Sequence, residues 1–216
     1  MIALYGHPFA SFVWKPLIAA YERGVAFEFR MVDGDHPDHA AFVADAAPTG
    51  QFPVLVDGDR TVIESSAIVE WLDRQGDAPP MVPRDPVAAI EARQMDGVFD
   101  DYVQAPMQRI VADSLRGDAP RDPTGVAMAK DALLKVYGWL DRRMAVRDWA
   151  AGDFGLADCA AAPALFYADW VQPIPEAMGT LRAYRARLLA RPYVARVVDE
   201  ARPYRHFFPL GAPDRD

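Results

Sequence analysis

The sequence predicts an α+β protein in which a β-α-β-α-β-β-α unit is followed by an all-helical one. Three observations carry this reading. Short apolar or alternating runs closed by Gly, Pro or Asp occur only before residue 65. Residues 76–86 are rich in proline and hold no hydrophobic period, which marks an interdomain linker. Beyond them the apolar residues recur only at helical spacing. The expected domains are residues 1–78 and 86–216.

Ile2-Ala3-Leu4-Tyr5, closed by Gly6-His7-Pro8, reads as a buried first strand and a turn. Val13, Leu17, Ala20 and Tyr21 share a helical face, and Gly24 supplies the stop. Pro16 fits that helix only in or near its first turn, where a missing N–H costs little. Residues 26–32 alternate with period two and form the second strand, so the strand–helix–strand connection makes a parallel pair. A short helix is expected over residues 40–47. Residues 54–57 and 61–64 flank Asp57-Gly58-Asp59-Arg60, a hairpin signal. Ile68, Val69 and Leu72 then place residues 66–74 in a helix.

In the second half, residues 87–115 follow one long helical pattern, and Pro106 is expected to kink it near Tyr102. Thr124 is the expected cap of the next helix, with Leu133, Tyr137, Leu140 and Met144 on its apolar face. Residues 156–169 are apolar almost all round, the mark of a central buried helix. Two helices follow, over residues 181–190 and 193–201. The tail, residues 202–216, is expected to pack as an extended cover.

Composition narrows the function. The chain has 216 residues, enough for a sizeable core, with 51% hydrophobic and 25% charged residues and a net charge of −8. That balance argues against a nucleic-acid surface. No apolar run reaches the ~20 residues of a membrane helix, and the start lacks the basic and apolar regions of a signal peptide. A single cysteine, Cys159, excludes an internal disulfide and a cysteine-rich metal site. The expected location is the cytoplasm, with no membrane or nucleic-acid partner. His36, Asp38 and His39 lack metal-ligand spacing and read as a solvated loop, so no metal is expected. Cys159 opens a buried apolar run and reads as an inert core thiol.

The most informative stretch is Gln51-Phe52-Pro53-Val54-Leu55-Val56-Asp57-Gly58, followed by Glu64-Ser65-Ser66. A proline opening a strand removes one ladder donor, and X-Pro is the common place for a cis bond. A cis Phe52-Pro53 peptide is expected, leaving neighbouring backbone groups free to pair with an extended ligand. Glu64-Ser65 at a helix start brings a carboxylate, a hydroxyl and free N–H groups together. Such a spot holds a group carrying both an amine and a carboxylate. An ordinary helix start with an acidic residue beside the dipole explains the same pair.

Five segments together resemble the cytosolic glutathione S-transferase family. Ala47-Pro48-Thr49-Gly50-Gln51-Phe52-Pro53-Val54-Leu55-Val56 resembles its Pro-x-Gly-Lys-x-Pro-x-Leu segment. Glu64-Ser65-Ser66-Ala67-Ile68 resembles Glu-Ser-x-Ala-Ile. Gly152-Asp153-Phe154-Gly155-Leu156-Ala157-Asp158 resembles the Gly-x-x-Ser/Thr-x-Ala-Asp box of the buried helix. Tyr102-Val103-Gln104-Ala105-Pro106-Met107-Gln108 and Pro203-Tyr204-Arg205-His206-Phe207-Phe208-Pro209 resemble a bacterial, serine-type-like branch.

The resemblance covers essentially the whole chain. It implies a thioredoxin-like N-terminal domain, a homodimer, glutathione as co-substrate without metal, and a role in detoxification. The implied activity is transfer of the glutathione thiolate to small hydrophobic electrophiles. A glutathione-dependent isomerase or dehalogenase, or a binding protein with little catalysis, are the alternatives on the same fold. By resemblance, Gln51, Phe52, Val54, Glu64, Ser65 and His39 bind glutathione, Val54 through its backbone alone.

Ser11 is the candidate catalytic residue: a hydroxyl at a helix N-terminus favours a nearby thiolate. The alternative is that Ser11 caps the first helix. Ala10 stands where many serine-type relatives carry the catalytic serine. Gln51 replaces the family's frequent lysine, and Gly155 its Ser/Thr cap, which leaves Asp158 to support that helix start. Phe12, Tyr102 and Met107 are the expected walls of the pocket for the second substrate.

Overall fold

The computed structural model describes residues 1–216. The first unit runs β1 (Ile2–Gly6), α1 (Ser11–Glu22), β2 (Phe27–Met31), α2 (Pro37–Ala46), β3 (Val54–Asp57), β4 (Arg60–Ile63) and α3 (Ser65–Leu72). The strands form one mixed sheet in the order β2-β1-β3-β4, with β1 and β2 parallel and the other pairs antiparallel. This is the β-α-β-α-β-β-α order expected. Gly58, at a φ of 61°, closes the β3–β4 hairpin where an L side chain would be strained.

The second unit is helical throughout: α4 (Pro86–Gly97), a π-helical segment Val98–Gln104, α5 (Ala105–Ser114), α6 (Pro123–Met144), α7 (Leu156–Val171), α8 (Gly179–Ala190) and α9 (Pro192–Ala201). A 3-10 segment Arg202–Phe207 opens the tail, which is therefore wound rather than extended over its first half. No helix is long and apolar enough to cross a membrane.

Helix α7 is the centre of the fold. Every residue from Leu156 to Asp169 is buried, and the helix packs against α1, α4, α5, α8 and the π-helical segment. Trp14 of α1 packs at a tilt against Phe166 and Tyr167 of α7, so the core of the first unit runs without a break into that of the second. A smaller apolar cluster, Ala3, Tyr5, Val43, Ala47 and Val54, holds α2 on the other face of the sheet. The linker is pinned as well. The Arg23 guanidinium donates to the carbonyls of Leu72, Gln75, Ala78 and Pro79, and the Asp73 carboxylate accepts from the N–H groups of Met81 and Val82.

The structure departs from the sequence expectations in four further places. Pro16 sits beyond the first turn of α1, so its missing N–H falls inside the helix. Helix α2 starts at Pro37, earlier than expected. Asp122, not Thr124, caps α6: its Oδ1 accepts from Gly125 N–H at 2.8 Å. The long pattern over residues 87–115 breaks before Pro106, which lies in the first turn of α5 where it is tolerated. The disturbance is the π-helical segment instead, in which the Ala105 N–H bonds back to the Asp100 carbonyl.

Candidate functional site

A cavity of about 830 Å³ lies between the two units. Its first-unit wall is the loop before α1 with Ser11 and Phe12, then Gly50, Gln51, Phe52 and Glu64. The second unit contributes Asp100, Asp101, Met107, Val111 and Tyr167, and the tail closes it with Phe207, Phe208 and Pro209. Ser11 and Glu64 lie at helix starts, Phe12, Phe52, Met107, Val111 and the tail aromatics supply apolar surface, and Asp100 and Asp101 add carboxylates on the second-unit side.

The loop entering α1 is fixed from several directions. Trp14 Nε1 donates to the Pro8 carbonyl at 2.7 Å, and the Tyr167 hydroxyl donates to the Phe9 carbonyl at 2.8 Å. His7 Nδ1 accepts from the Phe9 N–H at 3.1 Å while its ring packs edge-on against Tyr204 and Phe207. Burial lowers the His7 pKa, opposed by the carboxylate of Asp33. The neutral ring this favours is the form whose Nδ1 accepts that N–H.

Ser11 is the first residue of α1 and is 7% exposed. It does not cap the helix. Ala10 occupies the N-cap position, with no side-chain cap. The Ser11 hydroxyl instead accepts a hydrogen bond from Gln104 Nε2 of the π-helical segment. It faces the cavity from a helix N-terminus, where partial positive charge favours an anion.

Across the cavity, the Phe52-Pro53 peptide is cis, as the sequence predicts. Glu64 is the N-cap of α3 and has a φ of 68° and a ψ of 120°, the positive-φ non-glycine residue of the chain. Such backbone costs about 1–3 kcal/mol and persists where the surroundings impose it, often at functional sites. Here β4 ends one residue before and α3 starts one residue after, so Glu64 is held between two regular elements, and its side chain makes no cap hydrogen bond.

The structure brings together Ser11, Phe12, Gln51, Phe52, Glu64 and Met107. It does not bring every expected residue to the wall. Val54 is fully buried in the cluster under α2, and Ser65 is buried at the α3 start. His39 Nδ1 contacts the Met31 carbonyl at 2.7 Å, and its ring stacks on His36 and packs against Tyr5, away from the cavity lining. Tyr102, expected as a pocket wall, is 59% exposed and outside the lining, because the π-helical segment turns it to the surface. Cys159 is fully buried, and burial raises its thiol pKa, as expected of an inert core cysteine.

Sequence reading missed one cluster. Lys15, 1% exposed, lies 2.7 Å from Asp96, 2.6 Å from Asp100 and 2.9 Å from the Ser66 hydroxyl, which itself donates to Asp96. This joins α1 and α3 to α4 and the π-helical segment directly behind the cavity wall. Burial raises the Asp100 pKa and the Asp96 charge adds to the effect, while the Lys15 ammonium pulls it down. The signal was present: a lone lysine inside Val13-Trp14-Lys15-Pro16-Leu17-Ile18, and two aspartates four residues apart on a helix.

At the other end of the core, Asp158 supports the start of α7. Its carboxylate accepts from Gly155 N–H, Ala150 N–H and the Tyr184 hydroxyl at 3.1, 3.0 and 2.6 Å. Gly155 is required there because a Cβ would run into the Met81 carbonyl, which accepts from Leu156 N–H. The box that departs from the usual Ser/Thr is thus explained by a close backbone approach.

Residues 4–80 match the family model for the glutathione S-transferase N-terminal domain, and residues 102–192 match the glutathione S-transferase C-terminal domain. The chain is 32% identical to FtsZ-localized protein A of Caulobacter vibrioides over 59% of its own length and 60% of that protein's. It is 29% identical to glutathione S-transferase 4 of Zea mays, over 98% of this chain and 95% of the relative. Among solved structures, a glutathione S-transferase of Methylobacterium radiotolerans in complex with glutathione sulfonate superposes with a TM-score of 0.77. It is 27% identical and covers 91% of this chain and 94% of that one. With both domain models matched in order along the same fold, this chain belongs to the glutathione S-transferase family.

Proposed function

We propose that this protein is a glutathione transferase that conjugates the glutathione thiolate to small hydrophobic electrophiles. The observation that carries the reading is one cavity with two chemistries. A polar edge holds the Ser11 hydroxyl, Gln51 and Glu64, and an apolar wall holds Phe12, Met107 and Val111. Glu64 at the α3 start receives the γ-glutamyl amine, and the N–H groups there and Ser65 receive its carboxylate. Gln51, Phe52 and the Val54 backbone hold the rest of the tripeptide; His39, engaged with Met31, His36 and Tyr5, is left out of the contact. Ser11 donates a hydrogen bond to the sulfur, which with the α1 dipole favours the thiolate. The sulfur then bonds to the electrophilic carbon, and the leaving group departs with its electron pair. Positioning and charge stabilisation carry the rate.

The rival is a binding protein of the same fold with little catalysis, favoured by the similarity to a relative named for its localisation with FtsZ. An isomerase or dehalogenase using glutathione is the other alternative. Retention on immobilised glutathione, paired with a turnover assay using an aromatic electrophile, separates them. Retention with turnover is expected. Retention without turnover supports the rivals, and no retention ends all glutathione chemistry and leaves only the partner-binding reading. The same preparation, sedimented at equilibrium, tests the proposed homodimer; a role in cytoplasmic detoxification is part of the same proposal.

A further inference from the structure

We propose that Gln104 is a positioning residue for thiol activation, locking the Ser11 hydroxyl so that its proton points to the glutathione sulfur; this rests on the Ser11 reading above. A hydroxyl has one proton to give and two lone pairs to fill. Gln104 Nε2 donates to Ser11 Oγ, so one lone pair is filled and the proton stays available to an acceptor in the cavity. The same donated bond polarises the hydroxyl and makes it a better donor in turn.

Three observations set this amide apart from ordinary core packing. Gln104 is 2% exposed and does not line the cavity, so it acts through Ser11 and not on substrate. Its Oε1 is buried without a hydrogen-bond partner, a costly state for a side chain that an apolar residue of similar shape would avoid. And it ends the π-helical segment, an irregularity often found at functional sites. The bond crosses from the second unit to the first, so the helical half sets the state of the hydroxyl in the sheet half.

The test measures the ultraviolet absorbance of the bound glutathione thiolate across pH, with kcat/KM beside it, for Gln104→Met, Gln104→Glu, Ser11→Ala and the double variant Ser11→Ala/Gln104→Met. Gln104→Met is expected to move thiolate formation to higher pH. Its kcat/KM at pH 6.5 falls about three- to tenfold, the worth of one hydrogen bond, and recovers at alkaline pH with the KM for glutathione little changed. Gln104→Glu, nearly isosteric, is expected to be worse, because a carboxylate captures the Ser11 proton and repels the thiolate. The double variant is expected to match Ser11→Ala. A Gln104→Met profile that superimposes on the wild type while Ser11→Ala is displaced overturns the role of Gln104 alone. Losses that multiply in the double variant do the same. An undisplaced Ser11→Ala profile overturns the Ser11 reading and this one with it.

Discussion

The helix starts of the molecule fall into two groups. In the second unit they are closed: Asp85 accepts from Ala88 N–H, Asp122 from Gly125 N–H, and Asp158 from Gly155 N–H, while Asp141 takes Leu181 N–H at the start of α8. Helices α2 and α9 begin with proline, which has one donor fewer to satisfy. In contrast, α1 and α3 start at Ala10 and Glu64 with no side-chain cap, and both face the cavity. A cap stabilises a helix start by about 1 kcal/mol. Where it is omitted, the N–H groups stay available to an anion. The starts closed by a carboxylate all lie in the second unit, whereas the two uncapped starts that face the cavity lie in the first and stay open for a ligand.

The contrast breaks first at the junction of the units. Lys15→Met leaves the buried Asp96 and the half-buried Asp100 without their counter-charge and is expected to cost about 3 kcal/mol, read from urea denaturation. Next comes a closed start. Asp158→Asn retains one acceptor oxygen for three donors, with an expected loss of about 2–3 kcal/mol in the same assay and unchanged glutathione affinity while the protein is folded. An affinity that falls with it would blur the division.

An open start should show the reverse. Glu64→Gly relieves the positive φ and is expected to raise stability by up to about 1 kcal/mol, while glutathione affinity measured by calorimetry falls about ten- to hundredfold. The smallest effect is expected at the loop before α1. Because the folded pKa of His7 lies below its ordinary value of 6.5, its contribution to stability is present above that pH and fades as pH falls through the folded value. Melting temperature against pH should show this fade in the wild type and lose it in His7→Asn.

Much of this division was legible in the sequence, and the reasons differ by site. The sheet order followed from period-two runs and one hairpin signal, and α7 from its apolar surround, because burial on all sides leaves no polar face. The cis Phe52-Pro53 bond and Glu64 were found because proline and an acidic helix start are local features. Gln104 was passed over because its partner Ser11 is 93 residues away, and only the fold brings them together. Tyr102 was expected on the cavity because a kink at Pro106 would open the helix there, but Pro106 sits in the first turn of α5. The π-helical segment adds residues to the turn and shifts the helical register, and no local signal in Val98–Gln104 announces it. Gly155 read as a weak cap when the Met81 carbonyl, far along the chain, is what demands it.

The most direct measurement is the pH titration of the glutathione thiol bound to the wild-type protein, followed by thiolate absorbance. A free thiol of this kind has a pKa of about 8.5. In the bound state the open α1 start and the Ser11 hydroxyl should bring it to about 7 or below. A bound thiol that titrates as it does in free solution would contradict the account.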